Sequence, residues 1–241
     1  MPNLHNWDLD PKEAAKEQRR LRGLLSDKPP KGRIGFVAGC DAIPSPDEKT
    51  IFAAAIVFKL PKLEEVERAS AELPLTFPYI PGLLSFREGP ALIAALEKLK
   101  LRPDAVLFDG QGIAHPKRLG LACHVGLWLD LPTVGCAKSC LVGDYNTPRQ
   151  KPGALSHLVH EGKHVGAALR TKTDAKPIFV SPGHMMDLKT AIHLTQRCCV
   201  GQRLPKPTLE ADRWTRAWKR ELKSPGPSRS TAAGAGPSPQ Q

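Results

Sequence analysis

The 241-residue sequence predicts an α/β protein built on one mixed sheet, antiparallel strands first and parallel strands after them, flanked by helices. Three observations carry this expectation. Residues 33–72 hold three strand-like runs in succession, the first two joined by the turn-rich "PSPDEK". From residue 104 the pattern changes to strand, helix, strand, which implies right-handed parallel crossovers with helices on the sheet faces. Helical segments precede, separate and follow these parts.

In chain order, "KEAAKEQRRLRGLL" (12–25) is rich in helix formers and reads as a basic N-terminal helix. "RIGFVAGCD" (33–41) is an apolar run ending in an acid, and "TIFAAAIVFKL" (50–60) follows it as the second arm of a hairpin. "LEEVERASAE" (63–72) alternates like a third strand with one face in water. The proline-rich loop "LPLTFPYIPG" leads to "PALIAALEKLK" (90–100), a helix with Pro90 placed for its first turn. "DAVLFD" is a strand, "LGLACHVGLWLD" a helix and "PTVGCAK" a strand. "HVGAALRTK" and "PIFVSPG" read as further strands, and "DLKTAIHLTQRCC" as a helix capped by Asp187. Beyond Pro205 comes a basic, Trp-bearing segment. Residues 1–223 are expected as a single domain, and the Pro/Ser/Gly/Ala-rich residues 224–241 as a disordered tail. This element order is that of a ribonuclease-H-like mixed sheet.

Hydrophobic content of 41% and charged content of 24% belong to a globular protein with a real core. No run approaches the roughly 20 apolar residues of a membrane span, and the polar N-terminus lacks a signal-peptide core. A cytoplasmic location is therefore expected. The six cysteines include no CxxC pair and read as free buried thiols rather than a metal site. The net charge of +11 concentrates at the ends. Residues 213–241 hold six Lys/Arg against one acid, and residues 11–33 hold eight against three. Basic ends around a balanced middle fit a polyanionic partner, most simply nucleic acid.

Two acids stand out because each ends a strand. Asp41 closes the first and Asp109 the fourth, and in the expected sheet these strands are parallel neighbours about 4.8 Å apart. Two carboxylates at one height repel each other unless a cation sits between them, and hard oxygen ligands select Mg²⁺ or Mn²⁺. Glu88, expected at the start of a helix, supplies a third carboxylate. Lys138, ending the next strand, is placed to neutralise a phosphate. His184, in the turn of "VSPGHMMDL", is expected within reach of an attacking water.

The blocks "AGCD", "PYIPGLLSFRE", "DGQGIAHPKRLGLACHVG" and "PTVGCAK", with the later "GHMM" turn, resemble the endonuclease V family over about residues 12–212. The PYIPG and DGxGxxHPxxxG blocks are the most specific. Two positions depart from the family pattern: Gln111 stands where many bacterial members have histidine, and Met185 where the turn usually has arginine. The resemblance implies a ribonuclease-H-like fold and a magnesium-dependent nuclease directed at deaminated adenine. It further implies cleavage of the second phosphodiester bond 3′ to that base, leaving a 3′-hydroxyl and a 5′-phosphate. Asp41 and Asp109 would be metal ligands, with Glu88, Lys138 and His184 completing the active site.

Tyr79 would belong to a strand-separating wedge, with Ile80 and Pro81 in the same loop, stiffened by its prolines. Gly82, Gly110, Gly112 and Gly120 would let backbone approach the displaced base, and His115 would stack on it or bond to it. The expected partner is inosine-containing DNA, single- or double-stranded, bound by a monomer with Mg²⁺, Mn²⁺ being able to substitute. DNA repair is the role that follows. Two rival readings remain open on the sequence alone, an inosine-specific endoribonuclease and a non-catalytic inosine-binding module.

Overall fold

In the computed structural model, which describes residues 4–223, an eight-stranded sheet carries helices on both faces. The strands are β1 (Phe36–Pro44), β2 (Thr50–Lys59), β3 (Glu64–Pro74), β4 (Ala105–Phe108), β5 (Thr133–Ala137), β6 (Leu155–His160), β7 (Lys163–Leu169) and β8 (Ile178–Pro182). The helices are α1 (Pro11–Arg22), α2 (Leu84–Glu97), α3 (Leu121–Leu129), α4 (Leu188–Cys198) and α5 (Lys206–Lys223). Across the sheet the order is β3-β2-β1-β4-β5-β8-β7-β6. The β1–β4 and β4–β5 pairs are parallel, and the other neighbours are antiparallel. The expected tail, residues 224–241, lies outside the described residues.

The expected mixed sheet is present, with three differences of detail. The strand β6, "LSHLVH", was not expected, because His157 and His160 interrupt its apolar pattern. The helix α2 begins at Leu84, so Pro90 sits inside it rather than in its first turn. The Pro90 ring removes one intrahelical donor there, which the long apolar face of α2 outweighs. The strand β8 runs antiparallel to β5, so it does not continue the parallel crossovers.

Helices pack on β2 from both sides, which is why residues 51–58 of that strand are all buried. On one face Ala53, Ala55 and Val57 meet Ala91, Leu92 and Ala95 of α2. On the other, Phe52 and Ala54 meet Ala211 and Trp218 of α5, the Phe52 and Trp218 rings stacking at 4.9 Å. The strand β1 passes directly beneath α5. A Cβ at Gly39 would come within 2.0 Å of the Pro207 carbonyl carbon, so glycine is what allows this close approach. All six cysteines are free thiols, four of them buried. Among the described residues no helix is long and apolar enough to cross a membrane.

Candidate active site

The parallel register of β1 and β4 sets Cys40 opposite Phe108, so the next residues, Asp41 and Asp109, arrive at the same height. The strand β4 stops at Phe108 and releases Asp109 into a loop. Contrary to expectation, the strand β1 does not stop at Asp41; it continues to Pro44, paired with β2. A third acid joins them. Asp212 of α5 brings its carboxylate beside the other two, and one oxygen from each lies within 4.8 Å of the others. Converging carboxylate oxygens are the donor set that hard divalent cations take, so this cluster can hold a metal ion.

Nothing in the sequence reading pointed to Asp212. It stands among Arg213, Arg216, Lys219 and Arg220, where an acid reads as a partner in helical ion pairs. It is such a partner too: Arg216 donates to both its oxygens, at 2.7 and 3.0 Å. Its neighbour Thr215, fully buried, donates its hydroxyl to Asp41 and thereby ties α5 to β1. A buried hydroxyl three positions after an acid on an amphipathic helix was the available signal.

The electrostatics follow from crowding. Burial pushes the Asp41 carboxyl up to about 6, with Asp109 and Asp212 adding to the rise and the Thr215 bond opposing it. Glu88 is pushed up to about 8, first by burial and then by Asp41 and Asp109. It sits in the second turn of α2 rather than at the helix start, because α2 begins earlier than its proline suggests. Lys138 follows the last residue of β5 and donates to Asp109 and, at 3.3 Å, to Asp212. Burial pulls the Lys138 ammonium down, but the two carboxylates raise it overall. Against its own burial, Arg216 and Lys138 hold Asp212 below the usual carboxylate range.

His184 is not at this site, contrary to expectation. Because β8 runs antiparallel to β5, its end lies beside the start of β5, where Pro182 pairs with Val134. The acids lie at the other end of these strands. His184 instead donates its amide to the Thr133 hydroxyl, its carbonyl accepts from the Thr133 amide, and its ring faces Asp130 at 3.4 Å.

A cavity of about 160 Å³ opens close to the acids, lined by Tyr79, Ile80, Pro81, Gly82, His115 and Gly120 among others. That is below the roughly 300–1,000 Å³ of drug-sized ligand sites and suits a fragment such as a single base. The Tyr79 ring is 67% exposed at its rim. The loop beneath it is fixed at several points. Phe77 is buried, and its carbonyl accepts from Arg87. Gly82 holds a φ of +86°. Gln18 of α1, buried and unforeseen, donates to the carbonyls of Gly82 and Leu119 and so ties the two walls together. His115 is held in its own loop, its Nδ1 accepting from the Lys117 amide. Burial pushes His115 down to about 4, so it is neutral.

Gly110 and Gly112 do not line the cavity. A Cβ on Gly112 would fall 2.0 Å from the Pro182 carbonyl oxygen, so this glycine admits the neighbouring strand rather than a base. Gly110 packs against Leu121. Gln111 does line the cavity, and its amide donates to the Ser139 carbonyl beside Lys138. Two segments thus span both regions. The loop 109–111 carries an acid and a cavity residue, and α2 carries Ser85 in the cavity wall and Glu88 beside the acids. A second groove, lined by Ile43, Arg216, Lys219, Arg220 and Lys223, makes the adjoining face of α5 basic.

Comparison with known proteins agrees with this geometry. A family model described as Endonuclease V matches residues 19–213. An Endonuclease V of Myxococcus xanthus is 44% identical over 220 residues, covering 91% of this chain and 94% of that protein. The crystal structure of the Endonuclease V of Streptomyces avermitilis is 37% identical with a TM-score of 0.85, covering 91% of this chain and 97% of that one. A Ciona intestinalis Endonuclease V, solved in complex with a 23mer DNA containing an inosine followed by a ribo-adenosine, is 26% identical with a TM-score of 0.75. That likeness covers 88% of this chain and 96% of the other.

Proposed function

The chain belongs to the Endonuclease V family, and from that premise we propose that it is an inosine-directed endonuclease. In this reading inosine is displaced into the cavity, and the second phosphodiester bond on its 3′ side is cut at the acid cluster. The products are a 3′-hydroxyl and a 5′-phosphate. One observation carries the reading: a base-sized cavity and a three-carboxylate cluster share the 109–111 loop and one face of α2. A cluster without the cavity would suit any metal-dependent phosphodiesterase. A cavity without the cluster would suit a binding module.

Mg²⁺, with Mn²⁺ as a substitute, is the cation this donor set favours, and Asp41, Asp109 and Asp212 are the residues that would hold it. Its charge would polarise the phosphate and acidify a nearby water. The remaining work falls to the chain. Glu88, whose raised pKa of about 8 suits a group that gains a proton, takes the proton from the attacking water. The water oxygen bonds to phosphorus, the bond from phosphorus to O3′ breaks with its electron pair going to O3′, and O3′ takes a proton from solvent water to become the 3′-hydroxyl. Lys138, already between Asp109 and Asp212, balances the charge that develops on the phosphoryl oxygens. Arg216, Lys219 and Lys223 hold neighbouring phosphates without reading sequence.

Tyr79 and Ile80 enter the stack and take the place of the lost base. The test is a labelled strand with one inosine, offered as DNA and as RNA, with Mg²⁺ or with EDTA. A single cut 3′ to inosine that EDTA abolishes is expected. Binding without any cut in Mg²⁺ or Mn²⁺ would leave a binding module instead.

A further inference from the structure

Behind the cavity wall runs a buried chain of hydrogen bonds that the reaction does not use. Ser85, which lines the cavity, meets His124 Nδ1 at 2.9 Å. His124 Nε2 meets His5 Nε2 at 2.8 Å, and His5 Nδ1 meets the Asn6 carbonyl oxygen at 2.6 Å. Trp7 lies face-on against His124 at 4.9 Å, and Phe86 and Trp128 close the nest around the two imidazoles.

The direction of every bond in this chain is fixed by its last member. A carbonyl oxygen can only accept, so His5 Nδ1 carries the hydrogen. Burial lowers the His5 pKa and pushes His124 down to about 3, so both rings are neutral and carry one hydrogen each. His5 Nε2 is then bare, and His124 must donate to it from Nε2. His124 Nδ1 is in turn bare, and Ser85 must donate its hydroxyl hydrogen to it. Ser85 Oγ therefore has only lone pairs, and no hydrogen, left to offer a group in the cavity.

Hypoxanthine and adenine differ at the atom such an oxygen would test. Hypoxanthine carries a hydrogen on N1, whereas adenine presents a bare nitrogen there. We propose that Ser85 is a specificity residue, its Oγ accepting the N1–H of hypoxanthine and repelling the N1 lone pair of adenine. His124 and His5 are positioning residues, which hold that oxygen as an acceptor. The inference rests on the cavity being the base site, and it adds the rule by which the site rejects undamaged adenine. A site built around one polar contact rejects a mismatched partner strongly, because the buried group is left unpaired.

The experiment measures binding in EDTA of strands carrying one inosine, or adenosine at the same position, so that chemistry does not enter. Ser85→Ala is expected to lower the inosine-to-adenosine ratio about tenfold by weakening inosine, and Ser85→Thr, which keeps the hydroxyl, to restore it. His5→Phe removes the acceptor for His124 and frees that ring to donate to Ser85. The hydroxyl then points into the cavity, and the ratio falls because adenosine binds better. Nitrogen-15 NMR of the wild-type chain should show His124 Nδ1 as the unprotonated nitrogen. Leu141→Trp, at the half-exposed cavity rim, tests the underlying reading separately. Unchanged inosine binding in Leu141→Trp would remove the cavity as the base site. Loss there, with unchanged ratios in Ser85→Ala and His5→Phe, would keep the cavity and overturn the role of Ser85.

Discussion

The acid cluster and the cavity lie side by side yet are made by opposite means. The cluster is charged and set by regular structure: strand register fixes Asp41 against Asp109, and a packed helix delivers Asp212. The cavity is largely apolar and set by loops, which hold their shape through prolines, a positive-φ glycine and the Gln18 amide. Under the proposed function the difference follows from what each must do. Phosphoryl chemistry needs charges placed to a fraction of an ångström, which sheets provide. Reading a base needs a shape and a few directed bonds, and loops anchored on a rigid frame supply those.

The comparison breaks most visibly at Asp109. Asp109→Ala should slow single-turnover cleavage by roughly a thousandfold, as several kcal/mol of charge stabilisation is lost. Binding of an inosine strand should survive, since the cavity is intact. If cleavage stayed within a few-fold of wild type, the cluster would not be the reaction centre.

Tyr79→Ala probes the other region. Unstacking a paired base costs a few kcal/mol, and less where pairing is absent. The variant should lose about tenfold more activity on a fully paired duplex than on a single strand carrying the same inosine. An equal loss on both would assign Tyr79 to the cavity wall and end its role as a wedge.

The two regions also titrate in opposite directions. Asp41 and Glu88 have folded pKa values of about 6 and 8, above their unfolded values, so the metal-free fold binds those protons more tightly than the unfolded chain. Their contribution is complete at low pH and is lost as pH rises through 6 and 8. His115 and His124, held neutral by burial at about 4 and 3, act the other way, and their contribution is lost as pH falls below about 6.5. Between pH 6.5 and 8 the Glu88 contribution dominates this pair of effects. Thermal melts in EDTA should therefore show Tm falling over that window, with a smaller fall in Glu88→Gln. Mg²⁺ should raise Tm more at pH 8 than at pH 6.5. A flat profile in the wild type would mean Glu88 is ionised throughout.

His184→Ala gives the smallest effect. At the opposite end of β5 from the acids, it should leave the cleavage rate within about threefold of wild type, with a loss of stability of about 1–2 kcal/mol from its buried bonds. A loss as large as that of Asp109→Ala would require His184 to reach the cluster.

Asp41 and Asp109 were legible because an acid following an apolar run stands out and the parallel neighbours follow from the strand order, although β1 runs on to Pro44. Asp212 was hidden because its role depends on α5 docking over β1, which its own neighbours do not announce. His184 was misplaced for a related reason. "PIFVSPG" reads as the same strand in either direction, and only its pairing with β5 and β7 decides which end of the sheet its turn occupies. The glycines show the limit differently. Glycine signals that something comes close, and at Gly112 that something is Pro182 of the neighbouring strand. The strand β6 escaped because its histidines interrupt the apolar run and only Leu158 of it is buried. For α2 the conspicuous Pro90 outweighed the fainter true start at Leu84.

The placement of Asp212 on the last described helix also has a consequence in time. A ribosome releases this chain from its N-terminal end, and the strands and loops that shape the cavity all emerge before α5. Asp212 arrives last, together with Thr215, whose hydroxyl grips Asp41. Every residue that lines the cavity thus precedes the last member of the acid cluster in the chain. The acid cluster is complete only when α5 has been made and lies over β1, with Pro207 against Gly39.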